Sequence, residues 1–436
     1  MNTFIIETWG CQMNEYDSQK MTGLLKKSGL VEADCEADAD IFILNTCSVR
    51  EKAAHKIYSR LGALNKRYGQ DKIVGVCGCV ASQEGNTLFQ KVPNLNFIIG
   101  TRSIHLITEA VEESLKGTRY FDVDDHSEES RAAAIDHIDR QRQTKAYVSI
   151  IEGCDNFCTY CVVPHTRGRE QSRPLADILS EVEKAVNQHG IHEIELLGQN
   201  VNSYRHQGAT FADLLQAVSS LPGVERLRFM TSHPKDFSEE ILSVIANNKN
   251  ICRSIHLPIQ SGSDIILRKM GRKYTREQYL SKIAMTRNML EKCWLSTDII
   301  VGFPGETETD FLKTMDIIHR VGFDNVFSFK YSPRPNTAAL ELKDDMVNAE
   351  IAAARLSILQ KAQENIQLLK HQGMVGKNFT VLVESLSKRD ANRLTARTEG
   401  NHVVHFKAGR GNELIGKMVT VCITGASMAS LTAELV

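Results

Sequence analysis

Cys154, Cys158 and Cys161 stand in EGCDNFCTYC, directly after a β-branched run that reads as a strand. A loop of that length can turn three sulfurs toward one point, which is metal-ligand spacing. A tetrahedral zinc site wants a fourth Cys or His, and the loop offers only His165 nearby. A cubane cluster can take three thiolates and leave one iron open to a substrate or cofactor, so C-x3-C-x2-C points to a 4Fe-4S cluster. Cys11, Cys47 and Cys79 each follow the end of another expected strand. If those strands are parallel, their ends face one crevice. Two readings are open at this point: a second three-thiolate cluster, or small apolar cysteines packed in a core. Cys35, Cys77, Cys252, Cys293 and Cys422 have no partner at ligand spacing, although Cys77 is two residues from Cys79.

The elements that must carry these cysteines follow from periodicity. TFIIET, EYDSQKMTGLLKKSG, ADIFILNT, SVREKAAHKIYSRLGALNKRYG and KIVGVCG alternate strand and helix patterns, giving an α/β domain with a parallel sheet over residues 1–116. Residues 117–144 carry four Lys/Arg against seven Asp/Glu and few large apolar side chains, which reads as a linker. From 145 to 371 six strand candidates (AYVSIIEG, EIELLGQN, RLRFMTSH, SIHLPIQS, LSTDIIVGFPG, NVFSFKYSP) alternate with helical segments, as in an open or partial (β/α)6 barrel. In such folds the site is built at the carboxyl ends of the strands. Residues 372–436 read as short strands punctuated by Gly, Asn and Lys, a small β-barrel.

A chain of 436 residues accommodates about three domains at roughly 150 residues each. The N-terminus lacks a basic start followed by an apolar run, and no stretch reaches the roughly 18 apolar residues of a membrane span. The expectation is a cytoplasmic protein without membrane contact. Eleven cysteines in a reducing compartment then argue for metal or thiol chemistry, not for disulfides. A net charge of −1 excludes a global polycationic field, so nucleic-acid binding has to come from local patches.

Taken together, GCDNFCTYCVVPHTRGRE, TWGCQMNEYDS, NTCSVREKA, GCVASQEG, LLGQNVNSY, HLPIQSGSD and DIIVGFPGET resemble the MiaB-type tRNA methylthiotransferases of the radical S-adenosylmethionine superfamily, over nearly the whole chain. The resemblance implies an N-terminal methylthiotransferase domain, a radical-SAM partial barrel and a C-terminal TRAM domain of the RNA-binding β-barrel type. It implies two 4Fe-4S clusters. Cys154, Cys158 and Cys161 would hold the one whose open iron chelates S-adenosylmethionine, whose reductive cleavage gives a 5′-deoxyadenosyl radical that takes hydrogen from carbon 2 of an adenosine. Cys11, Cys47 and Cys79 would hold an auxiliary cluster, on which sulfur is methylated before delivery. Tyr160 is similar to the aromatic residue that radical-SAM enzymes place against the adenine; the alternative is a packing aromatic. Gly198, Gln199 and Asn200 stand where many relatives have Gly-Gly-Glu, a departure that bears on the cofactor's amino group. Gln260 and Asp298, polar residues near the ends of later strands, are further candidate cofactor contacts, and each could equally cap a loop. Ser232 and His233 are weaker candidates.

Arg268–Arg276 reads RKMGRKYTR, and Arg167, Arg169 and Arg173 follow the cluster loop. Phosphate contacts dominate nucleic-acid affinity, and a base under chemical attack must leave its stack, so cations near a buried cluster suit RNA. Arg167, Arg268, Lys269, Arg272 and Lys273 are therefore candidate RNA contacts; a solvated helix face is the alternative for the 268–276 run. In the barrel the family's TRAM domain suggests Lys388, Arg389, Arg393, Arg397 and Lys407. The resemblance favours carbon-2 methylthiolation of N6-isopentenyladenosine beside the anticodon. Threonylcarbamoyladenosine in tRNA or an aspartate of a ribosomal protein are the other substrates within the superfamily, and a non-catalytic iron–sulfur RNA sensor is the reading from a different class. Expected partners are a tRNA anticodon stem-loop and an electron donor such as a flavodoxin or ferredoxin, with the chain a monomer and the sulfur donor unspecified by any motif.

Overall fold

The computed structural model describes residues 2–48, 51–126, 135–141, 143–230, 232–407 and 411–436. Its N-terminal sheet has six parallel strands, in the spatial order Val31–Glu32, Thr3–Trp9, Ile41–Thr46, Ile73–Gly78, Phe97–Ile99, Tyr120–Asp122. The central strands Ile41–Thr46 and Ile73–Gly78 are buried at every position, as a sheet covered on both faces requires. One face packs Phe4, Ile41, Ile43 and Phe97 against Met21, Leu25 and Ile107. The other packs Phe42, Leu44, Val74 and Val76 against Ile57, Leu61 and Leu88. Strand order reverses between Thr3–Trp9 and Ile41–Thr46, and such a reversal opens a crevice at the carboxyl ends. The segment expected as a linker begins inside this domain: Tyr120–Asp122 pairs with Phe97–Ile99. Three residues are enough for an edge strand, and the acidic composition around them hid it.

The central domain contains two three-stranded parallel sheets. One runs Arg226–Phe229, Glu193–Leu197, Lys145–Ser149; the other runs Ser254–His256, Trp294–Val301, Asn325–Lys330. A parallel bridge between Leu227 and Ile251 joins them into one six-stranded arc. Helices cover its outer face, among them Leu175–His189, Phe211–Ser219, Arg276–Met289, Glu308–Val321 and Ala349–Gln372. Thr210, Thr275 and Thr307 start three of these helices with reciprocal capping boxes. No ladder joins Lys145–Ser149 to Asn325–Lys330 among the described residues, so the barrel is partial, as expected.

The chain ends in a closed five-stranded barrel: Asn378–Leu386, Arg393–Thr398, Val403–Lys407, Leu431–Leu435, Met418–Ala426. It docks on the amino ends of the central strands. Arg228 donates to the carbonyls of Glu399 (2.8 Å) and Thr398 (3.2 Å), Arg226 to that of Thr380 (3.1 Å), and Glu193 accepts from both arginines. Among the described residues, no helix is long and apolar enough to cross a membrane.

Candidate functional site

The carboxyl ends of the N-terminal strands place three thiols together. Cys11 begins the turn into helix Gln12–Lys27, Cys47 follows Ile41–Thr46, and Cys79 opens helix Cys79–Glu84. The Cys47 N–H donates to Trp9 O at 2.9 Å, tying two of the strand ends. Gly78 has φ +88°, and a Cβ there would press into Asn45 Oδ1 and lie 2.8 Å from Thr46 O. Buried Asn14 and Asn45 brace the turn, Asn45 donating to Asn14 O (2.8 Å) and to Ser18 Oγ (2.9 Å). The single proton of the Cys47 thiol can be donated to Cys11 or to Cys79. That bond, opposed by burial and helped by the Arg167 charge, pulls Cys11 down to about 6 and Cys79 to about 7, while Cys47 itself is raised. Arg167 reaches this site from the central domain and is held by Asp17 at 2.8 Å, both buried.

The second triad lies on the loop after Lys145–Ser149. Cys154, Cys158 and Cys161 are each partly buried. Gly153, with φ +78°, starts the loop, and its N–H donates to Gln199 Oε1 at 2.6 Å. Asn156 Nδ2 donates to Cys154 Sγ at 3.5 Å, and Arg272 Nη1 to Cys158 Sγ at 3.3 Å. Burial raises Cys154, and raises Cys161 to about 12. A bound cation relieves that penalty by taking the place of the proton. Among the described residues no three His, Cys, Asp or Glu side chains are gathered so as to hold a lone metal ion. Each triad offers three thiols after the carboxyl ends of parallel strands, a donor set that suits a cluster with one iron per thiolate.

The two domains that carry the triads pack directly on each other. Thr101 Oγ1 donates to Thr166 O (2.7 Å) and Arg102 Nε to Arg167 O (2.8 Å). Glu181 accepts from Tyr16 (3.2 Å), Arg140 (2.5 Å) and Arg173 (2.7 Å). Cys11, Met13 and Tyr16 pack against Tyr147 and Leu197 of the central sheet.

Residues 3–100 match the model of uncharacterized protein family UPF0004, residues 148–318 that of the Radical SAM superfamily and residues 372–436 that of the TRAM domain. A protein of Geobacter metallireducens named tRNA-2-methylthio-N(6)-dimethylallyladenosine synthase is 45% identical over 99% of this chain and 97% of its own length. One of the same name in Ralstonia pickettii is 44% identical over 100% and 98%. The chain belongs to this synthase family. Among solved structures, the radical S-adenosylmethionine methyltransferase TsrM of Kitasatospora setae, with tryptophan substrate and a SAM analogue bound, shares the fold at a TM-score of 0.55 and 16% identity, covering 75% of this chain and 73% of that one.

In this member of the family the remaining expected residues divide. Tyr160 packs with Ile300, Met270 and Phe303 beside the second triad. Gln199 spends its carbonyl on Gly153. Asn200 donates to Asp236 at 2.8 Å, leaving its buried Oδ1 without a partner, and Ser232 Oγ is buried and unpartnered too. Both follow strand ends of the central sheet, where a polar cofactor needs acceptors and donors. Gln260 has φ +72°, uncommon for a residue with a Cβ, and its N–H donates to Asp298 O at 2.9 Å. The Asp298 carboxylate lies 3.5 Å from His256 Nε2. Burial keeps His233 neutral, with its pKa lowered to about 2.

Two expected RNA contacts are corrected. Arg167 is buried against Asp17, and Arg272 is buried under Pro258 and Tyr274, its Nη2 donating to Pro258 O at 3.0 Å, so neither presents a charge to phosphate. Arg173 is half-buried and paired with Glu181 at 2.7 Å. Lys269 pairs with Asp345 (3.0 Å), Arg393 with Asp390 (3.4 Å) and Arg397 with Glu384 (3.0 Å), which lessens their availability. Arg268, Lys273, Lys388 and Arg389 are exposed. Val49 and Arg50 of the SVREKA motif lie outside the described residues. Sequence reasoning missed Asn14, Asn45, Asn156 and the inward role of Arg272; the signal within reach was an asparagine within three residues of Cys11, Cys47 and Cys154.

Proposed function

We propose that this chain is a radical-SAM tRNA methylthiotransferase that places a methylthio group on carbon 2 of N6-isopentenyladenosine beside the anticodon. The observation that carries the reading is a cysteine triad on each of two domains packed against one another, in a chain of the synthase family. Cys154, Cys158 and Cys161 would hold one 4Fe-4S cluster, and Cys11, Cys47 and Cys79 a second. When bound, the first supplies the electron that cleaves the sulfonium of S-adenosylmethionine and the second a site for the transferred sulfur.

The chain's own side chains prepare both places. Arg272 and Asn156 would donate to thiolates of the Cys154, Cys158 and Cys161 triad, and Gln199 holds the loop's entry. Asn200 Oδ1 and Ser232 Oγ would take up polar groups of the cofactor, with Gln260 and Asp298 on the adjoining strand ends. Tyr160, packed on an apolar cluster, would exclude water from the reacting centre. At the N-terminal triad Arg167 would stabilise thiolate charge on Cys11 and Cys79. Arg268, Lys273, Lys388 and Arg389 would contact tRNA phosphates. Electrons would come from a flavodoxin or ferredoxin, and the chain would act as a cytoplasmic monomer. Nucleoside mass spectrometry of tRNA from cells with and without the gene tests this. Loss of 2-methylthio-N6-isopentenyladenosine with accumulation of its unthiolated precursor is expected; unchanged tRNA overturns it.

A further inference from the structure

We infer that Phe327 and Phe329 form the wall that receives the apolar N6 substituent of the target base, and thereby select an isoprenoid over a carboxylate-bearing group. This rests on the tRNA reading above.

In Trp294–Val301 burial alternates strictly: Leu295, Thr297, Ile299 and Val301 are buried, whereas Trp294, Ser296, Asp298 and Ile300 stay partly open. The open residues face the interior of the partial barrel, because Leu295, Ile299 and Val301 belong to the core shared with the outer helices. The next strand continues this face. Phe327 pairs with Asp298 and Phe329 with Ile300, while Ser328 turns outward to accept from Gln360 of the covering helix at 3.4 Å. Two phenylalanines two residues apart are thus left 37% and 42% exposed on an inner wall. A barrel interior normally buries such rings, so an exposed pair there calls for an apolar or π-faced occupant.

The wall adjoins the reacting centre. Ile300, opposite Phe329, packs in the same cluster as Tyr160, which sits between the ligand positions Cys158 and Cys161. Its charge decides the class of occupant. Asp298, opposite Phe327, sets a partly exposed carboxyl group on this wall, 3.5 Å from His256 Nε2, and Lys330 alternates to the other face. The inner-face cations Lys145, Arg226 and Arg228 are paired with Glu195 and Glu193. Among the described residues a threonylcarbamoyl carboxylate would meet the Asp298 carboxyl group with these three inner-face cations already engaged, whereas an isopentenyl group needs only the rings.

The test uses the reconstituted full chain and anticodon stem-loops carrying N6-isopentenyladenosine, N6-threonylcarbamoyladenosine or unmodified adenosine, read by binding and by methylthio product. Wild type should prefer the isopentenyl stem-loop in binding. Phe327→Ala/Phe329→Ala should cut that preference about tenfold, with unmodified stem-loop affinity and RNA-free 5′-deoxyadenosine formation unchanged, and Phe327→Leu/Phe329→Leu should restore most of it. Phe329→Arg should raise affinity for the threonylcarbamoyl stem-loop. The inference is overturned if wild type shows no preference, if the alanine variant keeps it, or if the variant instead weakens cofactor use without RNA. Preferential binding without methylthio product would sink the proposed reaction and leave the wall standing.

Discussion

Replacing Arg167 by Met leaves the Asp17 carboxylate buried without its partner. The pair is 2.8 Å apart, with side-chain exposures of 5% and 1%. At an effective dielectric constant of about 20 their gross attraction is about 6 kcal/mol, most of it offset by desolvation, and removing one partner of such a pair costs about 3–5 kcal/mol. An independent ceiling comes from protonation. A carboxyl with an ordinary pKa of about 3.9 is neutralised at pH 7 for about 4 kcal/mol and at pH 5 for about 1.5 kcal/mol. Burial, the leading influence on Asp17, already raises its pKa, and Arg167 works against that rise. Without Arg167 the folded pKa climbs further above the unfolded one, so the folded state binds the extra proton and stability grows as pH falls toward the unfolded value. Arg167→Met should therefore lose about 4 kcal/mol at pH 7 and recover about half or more of it at pH 5. Asp17→Asn in the same chain should restore most of the loss at both pH values. The assay is urea unfolding under anaerobic conditions, read by Trp9 fluorescence in a Trp294→Phe background. A loss under about 1 kcal/mol, no pH dependence, or simple additivity with Asp17→Asn would refute the reasoning.

Gly78→Ala forces a Cβ into a positive-φ position against Asn45 and Thr46, so iron incorporation at the N-terminal triad should fall while the other triad fills normally; equal loss at both would contradict the local geometry. Cys154→Ala should abolish 5′-deoxyadenosine formation, whereas Cys47→Ala should spare it and block methylthio transfer; product assays after anaerobic reduction decide. Arg272→Met removes a cation 3.3 Å from Cys158 Sγ, so the midpoint potential of the first cluster should drop, as followed by electron paramagnetic resonance during redox titration. Lys388→Ala/Arg389→Ala should weaken tRNA binding evenly across sequences and reduce the magnitude of the salt slope by about two, with cofactor cleavage unchanged.

Much of the architecture was legible because strand and helix patterns alternate from Lys145 to Gln372, and because Cys11, Cys47 and Cys79 each follow a parallel strand while Cys154, Cys158 and Cys161 share one loop after another such strand. What failed was local direction. In RKMGRKYTR the helix Asp264–Lys269 stops, Gly271 takes φ +72°, and Arg272 N returns to Leu267 O at 2.8 Å, sending one cation of the run inward. Arg167 faces in for a related reason: Gly168, with φ +71°, turns the chain beneath Arg102, and the partner Asp17 lies 150 positions away. Charge runs report composition, and neither a single turn nor a long-range pair can be read from them. The exposed Phe327 and Phe329 look like ordinary strand residues until alternation in the neighbouring strand assigns the face.

Iron and acid-labile sulfide counted after anaerobic reconstitution, in wild type and in the two triple alanine variants, bear most directly on the two-cluster account. About eight irons are predicted for wild type and about four for each of Cys154→Ala/Cys158→Ala/Cys161→Ala and Cys11→Ala/Cys47→Ala/Cys79→Ala, with cubane spectra in every case. Wild type holding about four irons, or either variant retaining the wild-type count, would contradict it.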